Sequence, residues 1–348
     1  MSIKRISLQS SHLALPRANR EALRKGIDLL RRPNYLDRLF KYPDTRGDAN
    51  LLHDIERITP NWDGQTLVTQ SATQALSLAL RLVGERKRVA LYIPSYFGTI
   101  RKAKELRQII KPWNTVEELS KLGEFDAIVL TSNHTPPSGI SFSEHNKRKI
   151  AEIVRKNNAW LIEDNVYEPL WFKREPSPIQ TIPDKTIRIG SFSKMVSPAF
   201  RLGFMRASPD VLNKIRSMKI TDDLSTSLPV QLIVRPALTK KMLDNLRKKF
   251  HKRSKLLRKG LEKGLNIIIP KPDGGPFLCL KLPKKVNPKN LQEEVAKKGL
   301  YIDTNEHQYP EGHQPNQVVR LHIGAIKKKD IPRAVRILIS SIKKLKTK

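Results

Sequence analysis

The chain has 348 residues, enough for one large domain and one smaller domain, each with a core of its own. It carries a formal net charge of +33, a hydrophobic content suited to a globular protein, and no apolar run of the roughly 20 residues that a membrane-spanning helix needs. The start, Met1-Ser2-Ile3-Lys4-Arg5-Ile6, lacks the apolar stretch and cleavage site of a signal peptide. Cys279 is the sole cysteine, so no intrachain disulfide is possible, and together these point to a reducing, cytoplasmic setting.

In chain order, one helix is predicted over about 17–31, inside an N-terminal segment (1–40) that packs on the second domain. From 41 to 225, short β-type runs alternate with helical patterns. Strands are predicted at 66–69, 88–93, 127–131, 160–163, 186–190 and 202–206, and helices at about 73–84, 98–106, 144–156 and 209–217. This alternation is the mark of an α/β domain, a mostly parallel sheet with helices on both faces, whose site lies in the loops beyond the carboxyl ends of the strands. After about 225 the pattern changes, with Pro229 and Pro236 at the joint. A long basic helix (about 236–263), strands near 266–269, 276–282, 300–303 and 318–323, and a last helix make residues 226–348 a smaller α+β domain.

The positive charge is concentrated. Residues 239–263 hold 11 Lys/Arg against Asp244 and Glu262, and residues 326–348 hold 9 against Asp330, which is about half of the excess. Both stretches have helical apolar spacing, Leu243, Leu246, Phe250, Leu257 and Leu261 in the first, Ile331, Val335, Leu338 and Ile342 in the second. The lysines then fill wet faces. There is no zinc-finger spacing and no RNA-recognition signature, so a solvated basic surface is expected, without a specific nucleic-acid site.

The strongest chemical signal is Ser191-Phe192-Ser193-Lys194-Met195-Val196-Ser197-Pro198-Ala199-Phe200-Arg201 after a predicted strand. A lysine amine forms an imine with an aldehyde cofactor, and Ser191, Ser193 and Arg201 can hold a phosphate through charge-assisted bonds. The bland reading is a surface loop with an ordinary lysine. The 160–163 strand runs into Asp164-Asn165-Val166-Tyr167. A carboxylate there can pair with a pyridinium nitrogen, although alone Asp164 reads as a helix cap. Ala72 and Thr73 open a helix whose backbone N–H groups attract phosphate. Tyr96 follows another strand, either facing a site or covering the core. Tyr42 lies in Tyr42-Pro43-Asp44-Thr45-Arg46-Gly47, by itself a plain turn. Arg320, in Val318-Val319-Arg320-Leu321-His322-Ile323, is costly to bury without an anion and has the fork that matches a carboxylate.

These segments together resemble the fold-type-I pyridoxal-phosphate aminotransferases of class I/II. They are nearest the aminoadipate/kynurenine-type enzymes and the aminotransferase-like domains of certain bacterial regulators, and the likeness runs from about Ile6 to the end. The resemblance implies that Lys194 carries pyridoxal 5'-phosphate as a Schiff base and acts as general base. Ser191, Ser193, Arg201, Ala72 and Thr73 then hold its phosphate. Asp164 pairs with the ring nitrogen, Tyr167 reaches the ring hydroxyl and Tyr96 stacks on the ring. Arg320 binds the substrate α-carboxylate, and Tyr42 crosses to a neighbour's cofactor in a homodimer. The implied reaction moves an amino group between an amino acid and a 2-oxo acid.

Three departures fall around this set. Ser71 stands where the family has glycine. Pro136, in Asn133-His134-Thr135-Pro136-Pro137-Ser138-Gly139, replaces an asparagine and offers no side-chain donor. Ile6-Ser7-Leu8-Gln9-Ser10-Ser11 lacks a glycine common near the substrate. A decarboxylase, lyase or oxidase on the same scaffold is the alternative, since the scaffold does not fix which Cα bond breaks. A non-catalytic cofactor-binding regulator is third. Related regulators carry a winged helix ahead of this domain, and Tyr42 comes early for one.

Overall fold

The computed structural model describes residues 5–9, 17–313 and 317–347. The part of the N-terminal reading that concerns Ser10 and Ser11 lies outside them. The strands are β1 (Ile6–Ser7), β2 (Gln65–Thr69), β3 (Arg88–Tyr92), β4 (Ile109–Trp113), β5 (Ala127–Leu130), β6 (Trp160–Asp164), β7 (Thr186–Ser191), β8 (Gly203–Ala207), β9 (Phe277–Lys281), β10 (Leu300–Tyr301) and β11 (Val318–His322). The helices are α1 (Arg17–Leu29), α2 (Pro33–Leu36), α3 (Ala49–Ile58), α4 (Ala72–Val83), α5 (Phe97–Glu105), α6 (Val116–Lys121), α7 (Glu144–Lys156), α8 (Pro209–Asp223), α9 (Leu228–Val234), α10 (Lys240–Leu265), α11 (Pro288–Lys297) and α12 (Ile331–Thr347).

Seven strands form one sheet in the order β2-β8-β7-β6-β5-β3-β4. All neighbours pair in parallel except β8, which runs antiparallel to both β7 and β2. The central strands are apolar on both faces because both faces are covered. Val89, Leu91, Ala127 and Val129 pack with residues of α4, α5 and α8, whereas the alternating Ala90, Ile128 and Leu130 pack with α6 and α7. The expected α/β class is therefore observed, with a fold of this architecture's usual consequence: β5, β6 and β7 end side by side.

Several boundaries differ from the sequence reading. The run at 266–269 is not a strand. Asn266 closes α10 in the left-handed region (φ 52°, ψ 54°), a conformation asparagine tolerates, and Pro270 and Pro272 follow without ladder donors. The basic helix starts at Lys240, because Thr239 caps it by accepting from the Met242 N–H at 3.1 Å after a short turn through Pro236. The strand expected at 300–303 pairs only over Leu300–Tyr301, with β1 in parallel register. Sequence reasoning passed over β4, whose Lys111 and Pro112 break the apolar pattern; β4 is an edge strand, where a proline costs no central ladder bond.

The N-terminal part returns to the end of the chain. β1 lies on β10, α1 packs against α9, and Ile6 and Leu8 enter one core with Leu300, Ile302, Leu246 and Leu338. That core also holds Phe192 and Phe204, from the large sheet.

Candidate active site

Asp164 is the last residue of β6, paired in register with Ile189 of β7. Two residues beyond Ile189, Ser191 ends β7, and a single 3-10 turn (Phe192–Lys194) follows. The Ser191 Oγ caps that turn by accepting from the Ser193 N–H at 3.2 Å. Phe192 is fully buried, with its ring 5.6 Å from that of Phe204. The turn is thus pinned by one side chain inward, and Lys194 emerges at the strand ends, half-buried, with Nζ 5.8 Å from the centre of the Tyr167 ring.

The electrostatics follow from this placement. Burial, then the Arg320 charge, push the Lys194 ammonium down to about 8, against the opposing pull of Asp164. Burial raises Asp164 to about 6, opposed by Lys194 and by the Val166 backbone N–H. One of its oxygens, Oδ1, is buried with no hydrogen-bond partner. Burial also pushes the Tyr167 hydroxyl well above its usual range. The Tyr167 ring meets Phe277 edge-on at 4.7 Å, so β9 closes this side.

A second group gathers around Gly203, the register partner of Ser191. A Cβ at Gly203 would lie 2.4 Å from the Ala72 nitrogen, so only glycine lets the start of α4 sit against β8 here. Ser71 caps α4 by accepting from the Gln74 N–H at 3.2 Å, while the first-turn N–H groups of Ala72 and Thr73 have no helical acceptor. Serine thus does the capping where the family has glycine. Arg201 is exposed, in the left-handed region (φ 49°), and its Nη1 donates to the Pro198 carbonyl at 3.2 Å. The Thr73 and Tyr96 hydroxyls are 3.2 Å apart. Tyr96 is 39% exposed, and Gly98 leaves its ring the room to fold over α5, since a Cβ there would lie 2.3 Å from it.

Arg320 sits on β11 opposite Cys279 of β9, its guanidinium 5.3 Å from the Phe277 ring centre. The anion that its burial demands is supplied by the chain itself: Nη2 lies 2.5 Å from Asp303 Oδ2, with the two side chains only 12% and 11% exposed. With its amide turned to satisfy both partners, Gln308 accepts from Arg320 Nη1 at 2.6 Å and Nη2 at 3.1 Å. Sequence reasoning missed Asp303 and Gln308. A lone acid after the apolar Leu300-Tyr301-Ile302 was the available signal for Asp303; nothing local marks Gln308.

The structure thus brings Lys194, Asp164, Tyr167 and Arg320 into electrostatic range of one another, and sets Ser191 and the start of α4 at Ala72 against Gly203. It leaves Tyr42 outside. Tyr42 is 88% exposed, beside Phe40 at 85%, although the turn after it is pinned to β2 by the Val68 N–H donating to Arg46 O at 2.8 Å. Pro136 contributes no donor, and Asn133 is turned to Glu168, 2.8 Å away. Burial, then Glu163, hold that Glu168 carboxyl up at about 7. A concavity of about 950 Å³ lies elsewhere, walled by Phe172, His251, Lys255, Lys259 and Lys271. It contains none of the candidate site residues. Among the described residues no group of three His, Cys, Asp or Glu could hold a metal ion, and no helix is long and apolar enough to cross a membrane.

The sequence matches the family described as aminotransferase class I and II over residues 10–338. The chain belongs to this family. As a class I and II aminotransferase family member it belongs among proteins that depend on pyridoxal 5'-phosphate. It is 27% identical over 238 residues to aromatic-amino-acid aminotransferase 1 of Thermococcus litoralis, covering 66% of this chain and 57% of that protein. It is 27% identical over 245 residues to the uncharacterised HTH-type transcriptional regulator YdcR of Escherichia coli, covering 64% and 52%. To the 2-aminoadipate transaminase of Thermus thermophilus it is 24% identical over 330 residues, 88% of this chain and 82% of that one. The chain therefore spans little more than half of the first two. Its fold matches that of the α-aminoadipate aminotransferase LysN of Thermus thermophilus, complexed with N-(5'-phosphopyridoxyl)-L-leucine (TM-score 0.85, 21% identity, 99% and 93% coverage), and of the kynurenine aminotransferase of Pyrococcus horikoshii, complexed with PMP (0.84, 21%, 98% and 91%).

The residues of this chain fit the cofactor on their own chemistry. A buried carboxylate oxygen without a partner suits a protonated ring nitrogen. A half-buried lysine with a depressed ammonium suits an aldehyde. A helix start held against a bare glycine suits a phosphate.

Proposed function

We propose that this protein moves an amino group between an amino acid and a 2-oxo acid, with Lys194 bonded to the cofactor's aldehyde. The observation that carries the reading is the Lys194–Asp164 pair at adjacent strand ends, one group held near neutrality and the other with an oxygen awaiting a donor. When bound, the cofactor supplies a ring that accepts the electrons released at the substrate Cα. Asp164 would accept the hydrogen bond of the ring nitrogen and keep it protonated. Tyr167 would donate to the ring oxygen, a task for which Pro136 offers no side-chain donor. Tyr96 covers the ring face. Ser191, Ser193, Arg201 and the N–H groups of Ala72 and Thr73 hold the phosphate. Lys194 Nζ, freed when the substrate amine takes its place on the cofactor, would take the proton from Cα, and Arg320 would hold and orient the substrate carboxylate.

The same reading makes residues 41–225 the cofactor domain and 226–348, with the segment 1–40 on it, the smaller domain that carries Arg320. Exposed Phe40 and Tyr42 favour a homodimer in which Tyr42 reaches the neighbour's phosphate. The protein acts in the cytoplasm on small molecules, without a specific nucleic acid or membrane partner. The test is a screen of the pure protein against amino acids, following conversion of the cofactor to its pyridoxamine form by absorbance. Conversion restored by a 2-oxo acid is the expected result. Carbon dioxide or ammonia released without conversion marks a decarboxylase, lyase or oxidase and overturns the reading.

A further inference from the structure

We propose that Asp303 is a specificity-determining residue: it occupies the edge of Arg320 that a substrate carboxylate would take, and so weakens this protein's hold on carboxylates. The proposal rests on the reading of Arg320 as the carboxylate-binding residue. A guanidinium offers two edges with paired, parallel N–H groups, the end edge of Nη1 and Nη2 and the side edge of Nη2 and Nε. Gln308 takes the end edge, accepting from both nitrogens. Nη2 has one hydrogen left, and it points along the side edge, where Asp303 Oδ2 lies 2.5 Å away. The second donor of that edge, Nε, is buried and has no partner. Asp303 thus engages one donor of a two-donor edge. A carboxylate arriving there must displace it or share the cation with it.

Asp303 is fixed where it stands. Its Oδ1 accepts from the Asn305 N–H at 2.9 Å, and its backbone carbonyl accepts from the Arg320 N–H at 3.3 Å. The pair has no net charge, so the first carboxylate to arrive makes the cluster anionic, in a place with little solvent to screen it. Arg320 does not depend on Asp303 alone for its position. Gln308 holds its end edge, Phe277 lies beneath it, and β11 is in register with β9. Removing the Asp303 charge therefore leaves the fork in place, with at most a neutral amide competing for its side edge.

The test uses the cofactor-loaded protein and two unreactive probes, 3-phenylpropionate and its neutral amide, titrated by calorimetry. In the wild type the acid is expected to bind less than about tenfold better than the amide, a difference under ~1.4 kcal/mol. That comparison needs no variant. In Asp303→Asn the acid should bind at least about tenfold tighter than to the wild type, with the amide unchanged, and adding Arg320→Ala should remove the gain. If Asp303→Asn weakens or fails to change acid binding while Arg320→Ala abolishes it, Asp303 only positions Arg320 and the proposal is overturned by itself. If Arg320→Ala changes acid binding in neither background, the carboxylate reading of Arg320 falls, and the proposal with it.

Discussion

At the end of β6, Asp164 keeps one buried oxygen without a partner, whereas beyond β10 Asp303 has both of its oxygens engaged inside the chain. Leaving a buried acceptor unmade costs about 1–3 kcal/mol, which a donor arriving at Asp164 would recover. On the proposed reading, the missing partner at this end is the cofactor's ring nitrogen. At the other end the protein's own acid already holds Arg320 Nη2 and leaves Nε open, so a carboxylate arriving there would compete with that acid. On that reading, two carboxylates in one site are prepared for opposite events, binding in the first case and displacement in the second.

The comparison can be broken in several ways. Lys194→Ala should give the largest effect, a loss of turnover of at least about 10⁴-fold, since both the attachment point and the general base go. Single-turnover absorbance with the reactive amino acid checks it, and retention of more than a hundredth of the rate would remove Lys194 from the chemistry. Asp164→Ala should weaken cofactor retention by roughly 10- to 100-fold, the worth of one charge-assisted hydrogen bond of about 1.5–3 kcal/mol. Equilibrium dialysis reads it directly. Retention equal to the wild type would mean that the orphaned oxygen awaits something else.

A smaller effect is expected from Tyr42→Ala, a fewfold loss of cofactor affinity that appears only where the protein is dimeric. Sedimentation at micromolar concentration should show two chains per particle, and an active monomer indifferent to the substitution would contradict the shared site. The pH dependence of cofactor capture sharpens the cofactor end further. The neutral amine is the reactive form of Lys194, and its ammonium titrates near 8. Capture by the cofactor-free protein should therefore speed up as pH rises from 6 and level off above about 8. An ordinary lysine would keep accelerating toward about 10.4. Least of all should be any effect of DNA: binding to mixed duplexes should be weak, indifferent to sequence and steeply reduced by salt, as expected for released counterions.

What the sequence disclosed depends on how local the cause was. The central strands were legible because burial on both faces writes a continuous apolar run, as in Ala127–Leu130. Lys194, Ser191, Ser193 and Asp164 were legible because a strand end and the turn after it lie within a few residues of one another. Asp303 and Gln308 were not, since they meet Arg320 from 17 and 12 residues away, through a loop whose path is decided by tertiary packing. The strand β4 was hidden by Lys111 and Pro112, which only an edge position accommodates. The role of Tyr42 was carried by resemblance alone, and a single chain leaves that side chain in solvent.

The central claim is that Lys194 is the residue to which the cofactor is bonded. Borohydride reduction of the yellow protein, followed by peptide mapping with mass spectrometry, tests it most directly. One phosphopyridoxyl label per chain is predicted, on the peptide that contains Ser191-Phe192-Ser193-Lys194. Label on any other lysine, or no label after incubation with pyridoxal 5'-phosphate, would contradict the account.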